Sequence, residues 1–291
     1  MPRGGKPEVI HLPKFEGERK DPVVDMVWSK VFLTAVIVGL TVGCLAPLAD
    51  RAPAAGPAMA VASHCRVPHD LIETRAPLRL TTARLGAAMP LVIVAVGSSS
   101  TAGAGASHSG ASYPARLQDE LERRFPAAPI TVVNRGVGGE TAGRMIERFD
   151  RDVIALKPHL VIWQTGTNSA LRDHDPSQFR GEVADGIRAL RQTGADVILM
   201  APQFAPRFND LPNRLAFLRA VDDVSGHSDV VLFPRHAIMK YWIDSGRFDF
   251  KTMLSPDGLH LNDLSYDCIA QLLAEQIETI VRSPKMANST R

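Results

Sequence analysis

The sequence lacks several things at once. It has only three cysteines in 291 residues, none in a Cys-x-x-Cys pair, which excludes a disulfide-stapled scaffold. Neither sign of charge is in excess: 33 basic and 31 acidic side chains leave a net charge of +2. A nucleic-acid footprint needs a clustered basic excess, so no nucleic-acid partner is expected. The nine histidines form no His-x-x-x-His pair and no Cys/His cluster, so no metal and no cofactor are expected. The overall 45% hydrophobic and 22% charged residues are ordinary globular values and exclude a wholly disordered chain or a multi-span membrane protein. The apolar residues are, however, unevenly placed.

Residues 1–25 are polar, with five basic and five acidic side chains, and read as a disordered N-terminus. Residues 26–49 follow as a signal peptide or membrane anchor. Val31–Ala49 carries no charge over 19 residues, and about 17–25 apolar residues span a bilayer as a helix. Three readings stand open. Met26 starts a short segment with Lys30 that resembles a secretory signal. Val42-Gly43-Cys44 resembles the end of a lipoprotein signal. The third is an uncleaved anchor, in contact with the membrane through residues 31–49. Ala58-Met59-Ala60 adds an Ala-x-Ala cleavage pattern. All three readings place the folded part outside the cytoplasm: periplasmic, secreted or membrane-anchored. In an oxidising compartment Cys65 and Cys268, the two cysteines left for the folded part, are expected to pair and pin an N-terminal strap to the last helix. Residues 50–89 read as linker and strap, 90–283 as one folded domain and 284–291 as a C-terminal tail.

From residue 90 the pattern alternates between short apolar runs and amphipathic stretches. Leu91–Val96, Ile130–Val133, Leu160–Trp163, Val197–Met200 and Val230–Phe233 read as buried strands. Helices are expected over Tyr113–Phe125, Thr141–Leu156, Pro176–Thr193, Pro212–Val224 and Leu264–Val281. This β-α alternation predicts an α/β fold, a three-layer α/β/α sandwich around a five-stranded parallel sheet. In such sheets ligands bind beyond the carboxyl ends of the strands. The loops after the strands are therefore the informative places.

After the first strand comes Gly97-Ser98-Ser99-Ser100-Thr101, a serine turn leading to a helix. It is neither a Gly-x-Ser-x-Gly elbow nor a phosphate-binding loop. Asn134-Arg135-Gly136-Val137-Gly138-Gly139-Glu140-Thr141 follows the second strand, and glycines there let backbone N–H groups approach a ligand. Its Gly136-x-Gly138 pattern lacks the last glycine of a dinucleotide fingerprint, and Gln164 stands where that site needs an acid. Gly166-Thr167-Asn168-Ser169 follows the third strand, and Asp257-Gly258-Leu259-His260 precedes the last helix. A nucleophile, a base and an orienting carboxylate make a triad recognised by roles, not by chain order. Gln203, after the fourth strand, is on the same edge of the sheet and reads as a substrate-binding residue. Trp163 reads as core, and Arg235, His236 and Lys240 as a solvated helix face.

Together, in this order, the four segments resemble the SGNH hydrolases, the GDSL esterase/lipase family. Over about residues 90–283 the resemblance implies the SGNH (flavodoxin-like) hydrolase fold. It implies Ser99 as nucleophile, His260 as base and Asp257 as its orienting carboxylate. The oxyanion hole would comprise the N–H groups of Ser99 and Gly139 and the Asn168 side chain. Ser98 stands where the family usually has Asp, as does Ser169. The implied activity is that of a serine esterase acting on short-chain or O-acetyl esters, carbohydrate esters among them, so the expected partner is a small-molecule or glycan ester substrate. An O-acyltransferase on the same site and a non-catalytic glycan-binding envelope protein are the alternatives.

Overall fold

The computed structural model describes residues 60–283. The expected N-terminal tail, the export or membrane segment, the start of the linker and the C-terminal tail lie outside the described residues. No helix among the described residues is long and apolar enough to cross a membrane.

Five parallel strands form one sheet in the order β2-β1-β3-β4-β5: β1 (Leu91–Gly97), β2 (Ile130–Gly136), β3 (Leu160–Gln164), β4 (Asp196–Met200) and β5 (Val231–Phe233). Alternation along each strand sends its side chains into two cores. Leu91, Ile93, Ala95, Leu160, Ile162, Ile198 and Met200 face one layer, while Val94, Val96, Val161, Trp163, Val197 and Leu199 face the other. Both faces are covered, which is why the strands read as continuous apolar runs.

The first layer holds α1 (Arg79–Gly86), α3 (Tyr113–Arg124), α10 (Arg235–Asp244) and α12 (Asp263–Arg282). The second holds α4 (Ala142–Ile146), α5 (Phe149–Asp152), α7 (Pro176–Arg191) and α9 (Arg214–His227). One-turn helices open or line the loops at the carboxyl edge: α2 (Ser99–Ala102), α6 (Thr167–Leu171), α8 (Pro206–Asn209) and α11 (Phe250–Met253). The helix α7 starts where Asp175 accepts N–H bonds from Ser177 and Gln178, with Pro176 in its first turn.

Two expectations need correction. The helix expected over Thr141–Leu156 is broken into α4, α5 and a 3-10 turn, Ile154–Leu156. The break falls at Arg148, whose inward side chain bonds Glu140, Asp152 and the carbonyl of Gly97. The expected solvated face of α10 is split: Lys240 is exposed and pairs with Asp244, but Arg235 is 1% exposed.

The strap packs on the first layer through Val61, Cys65, Ile72, Leu78 and Leu85, and it contains α1, a helix that the pattern of residues 50–89 does not announce. Cys65 and Cys268 form a disulfide across 203 positions of sequence, with Cα atoms 5.0 Å apart. The Trp242 indole N–H donates to the Cys65 carbonyl at 2.9 Å, so the strap is held by polar as well as covalent contacts.

Candidate active site

The nucleophile turn is shaped by its neighbours. Ser99 opens α2 directly after β1, leaving its side chain half-buried at the carboxyl edge of the sheet. Gly136 at the end of β2 lies against this turn. A Cβ there would sit 2.1 Å from the backbone nitrogen of Ala102, so only glycine permits the approach. Asn134 ties the same segments together: its amide donates to the Thr101 carbonyl at 2.7 Å and accepts from Gly136 N–H at 2.9 Å.

His260 arrives from the other side of the edge, on the loop between α11 and α12. That loop is fixed by an antiparallel bridge between Leu254 and Leu261 and by Asn262, which caps α12 through Ser265 N–H at 3.1 Å and donates to the Thr252 carbonyl at 2.8 Å. The imidazole Nε2 of His260 lies 2.7 Å from Ser99 Oγ, and its Nδ1 lies 2.5 Å from Asp257 Oδ2. Asp257 Oδ1 accepts from the backbone N–H groups of Leu259 and His260, both at 2.9 Å, and from the Ser255 hydroxyl at 2.8 Å. Partial burial pushes this carboxyl up. The donated bonds from His260, Leu259 and Ser255 outweigh that and hold it well below the usual carboxylate range. Asp257 is therefore ionised at neutral pH and accepts the Nδ1 proton, leaving Nε2 as the acceptor that faces Ser99.

Gly139 and Asn168 stand on the neighbouring loops. Gly139 has φ +79°, a left-handed conformation that glycine adopts without strain. Its carbonyl accepts from Arg172 at 2.9 Å. Asn168, in α6, donates to the Glu140 carbonyl at 3.0 Å, which ties the α6 turn to the glycine loop. Arg148 clamps Glu140 at 2.7 Å and reaches the Gly97 carbonyl at 3.2 Å, joining the glycine loop to the end of β1.

Gln203 departs from its expected role. It is 1% exposed and turned into the fold: its carbonyl oxygen accepts from the Ser100 hydroxyl at 2.7 Å, and its NH₂ donates to the Leu259 carbonyl at 2.8 Å. The expectation of a substrate-binding side chain is corrected accordingly. Trp163 is fully buried, in agreement with its reading as core.

Three buried polar residues behind the turn escaped the sequence reading. Gln164 accepts from Ser98 and Thr101, Arg148 braces the glycine loop, and Arg235 donates to the Ala201 carbonyl at 3.1 Å. Burial lowers the Arg235 guanidinium to about 10 and pushes the Tyr113 hydroxyl up to about 12. For Gln164 and Arg235 the available signal was a polar side chain placed at or just beyond the end of an apolar strand; Arg148, between α4 and α5, carries no such signal. Among the described residues, His64, Cys65 and Cys268 lie close enough to hold a metal ion, but both thiols are joined in the disulfide.

A parallel sheet with a serine, a histidine and an asparagine gathered over its carboxyl edge defines the class: a carboxylic ester hydrolase of the SGNH type. Residues 64–283 match the Non-GDSL lipase-like family, and the chain belongs to that family. It is 25% identical to an arylesterase of Vibrio mimicus over 173 residues, 57% of this chain and 78% of the relative. It is 26% identical to thioesterase 1/protease 1/lysophospholipase L1 of Escherichia coli K12 over 204 residues, 70% of this chain and 90% of the relative. In structure it resembles a two-domain esterase active on acetylated mannans, solved with mannopentaose, with a TM-score of 0.61 and 21% identity. That likeness covers 72% of this chain and 55% of the two-domain chain, and it concerns the fold.

Proposed function

We propose that this chain hydrolyses short-chain carboxylic esters, O-acetyl groups on carbohydrate among them, through an acyl intermediate on Ser99. The observation that carries the reading is the single imidazole of His260 between the Ser99 hydroxyl at 2.7 Å and the Asp257 carboxylate at 2.5 Å. A base within hydrogen-bond reach of a hydroxyl, itself oriented by an anion, is the arrangement that activates a serine nucleophile.

His260 Nε2 takes the Ser99 proton as Oγ attacks the ester carbonyl. The negative charge that develops on the carbonyl oxygen is received by the N–H groups of Ser99 and Gly139 and by the Asn168 amide. His260 then gives its proton to the departing alcohol, which leaves the acyl group on Ser99. A water molecule, deprotonated by His260, attacks this ester, and the acid departs as the proton returns to Ser99. Asp257 keeps the imidazole in the tautomer each step needs and stabilises its cation.

The carbohydrate reading draws support from the acetylated-mannan esterase whose fold this chain shares. An extracytoplasmic site is proposed with it, on two supports: the uncharged run Val31–Ala49 and the Cys65–Cys268 disulfide, because such bonds persist in oxidising compartments.

The test is hydrolysis of p-nitrophenyl acetate, of longer-chain esters and of acetylated mannan by the full-length chain beside Ser99→Ala. Turnover by the parent, with acetate release from the glycan and loss of both in the variant, is the expected result. No turnover by the parent, or equal turnover by Ser99→Ala, overturns the reading.

A further inference from the structure

We propose that Gln203 is a positioning residue, whose buried amide holds the nucleophile turn and the histidine loop at the separation that sets Ser99 against His260. The inference rests on the esterase reading above and adds to it a residue that contacts neither substrate nor the reacting atoms.

The argument begins with where the two contacts fall. Ser100 directly follows Ser99, and Leu259 directly precedes His260. One planar amide spans both neighbours, accepting from the Ser100 hydroxyl at 2.7 Å and donating to the Leu259 carbonyl at 2.8 Å. The amide has only one workable orientation: a backbone carbonyl only accepts, so the NH₂ must face Leu259, leaving the oxygen for the hydroxyl. Gln203 itself is anchored, because it follows β4, whose extension at Ala201 is bonded through its N–H to Phe233 and through its carbonyl to Arg235. At 1% exposure no bulk water competes for either contact, and a severed bond would leave a buried polar group unpaired.

Other ties join the segment after α2 to the start of α12. Tyr266 donates to the Ala104 carbonyl at 2.7 Å, and Ser107 is bonded to Asp263. They hold the outer part of the loop after α2, beyond the residues that react. The Gln203 bridge acts one residue from each reacting side chain. There a shift of about 1 Å costs on the order of 10²-fold in rate, because the hydroxyl and the imidazole lose their alignment.

Two variants of the full-length chain test this, with kcat expressed per Ser99 site titrated by a fluorophosphonate. Gln203→Leu removes both contacts. Gln203→Glu is isosteric and keeps them only while its carboxyl is protonated, since the acid hydroxyl can donate to Leu259 and a carboxylate cannot. The ionisable groups of the same buried network are Arg235, Tyr266 and His260. The first two keep one charge state between pH 5 and 9, and His260 is common to parent and variants, so each variant is compared with the parent at every pH.

The expected result is a fall in kcat of about 10–100-fold for Gln203→Leu with KM within twofold, at a constant ratio to the parent across pH. For Gln203→Glu the ratio to the parent falls as pH rises. An unchanged kcat per site in Gln203→Leu, or a pH-independent ratio to the parent for Gln203→Glu, overturns the proposal. If Gln203→Leu does not fold, Gln203→Glu alone decides. A parent that turns over no ester overturns the esterase reading itself, a result distinct from any variant effect.

Discussion

Ser98 and Gln164 are joined twice: the backbone N–H of Ser98 donates to the Gln164 side-chain oxygen at 2.9 Å, and its hydroxyl donates to the same oxygen at 3.0 Å. Thr101 adds a third, longer donor at 3.3 Å. Ser98 stands where related hydrolases usually carry Asp, and this pairing gives the departure a physical sense, because a serine donates to the amide oxygen where an aspartate would oppose it. Gln164→Leu should leave buried donors unpaired and cost roughly 1–3 kcal/mol of stability. Ser98→Asp should also destabilise, by burying a carboxylate against an acceptor. Urea unfolding of both variants checks this, and a Ser98→Asp variant at least as stable as the parent would contradict it.

The oxyanion assignments make a graded prediction. Asn168→Ala should lower kcat by about 10²–10³, the usual effect of losing one such donor, with little change in KM. Asp257→Asn should lower kcat further, by up to about 10⁴, because the amide no longer dictates the His260 tautomer. Steady-state kinetics on one ester measures both, and an Asn168→Ala variant with full kcat would remove Asn168 from the oxyanion hole.

The disulfide should matter to stability through the unfolded chain. Closing a loop of 203 positions removes chain entropy worth about 5 kcal/mol in the simplest treatment. Reduction, or the double variant Cys65→Ser/Cys268→Ser, should therefore lower the urea midpoint markedly. Non-reduced peptide mapping should recover the Cys65–Cys268 pair, and two alkylatable thiols would count against it.

His236 makes stability depend on pH. Half-buried against the rings of Phe204 and Phe208, it is lowered to about 4, first by burial and then by the nearby Lys240, Arg214 and Arg235. The unfolded chain binds its proton below about 6.5, whereas the fold does so only near 4. The unfolded state thus holds the extra proton between these values, and stability falls as pH drops through that window and levels off below it. The loss is of the order of 3 kcal/mol. His236→Phe, which keeps an aromatic ring, should flatten this limb in urea titrations at pH 7 and pH 5. An unchanged slope would show that other groups carry it.

Much of the architecture is legible along the chain. Runs such as Leu91-Val92-Ile93-Val94 are apolar without alternation because both sheet faces are covered, so strand positions and the parallel sheet follow from pattern alone. The broken helix at Arg148 was not legible. Its helical periodicity is real over short stretches, but the residue at the break bonds the Gly97 carbonyl, 51 positions away. The strap likewise lacks a strong pattern and is ordered by what it packs against.

The residue pattern is enough for the order of the five strands, for the longer helices α3, α7, α9 and α12, for the loops where chemistry gathers, and for the residue types Ser99, Gly139, Asn168, Asp257 and His260 within them. The pairing of Cys65 with Cys268, expected once Cys44 is assigned to the export segment, is seen in the fold. Only the tertiary structure decided which way the polar side chains at the strand ends turn. Gln164, Gln203 and Arg235 point inward because the partners that offset their desolvation, Ser98, Ser100, Leu259 and Ala201, come from segments 34 to 103 positions away. A buried amide or guanidinium is tolerated only where such partners are waiting. That condition exists in the assembled fold and cannot be read from the residues on either side.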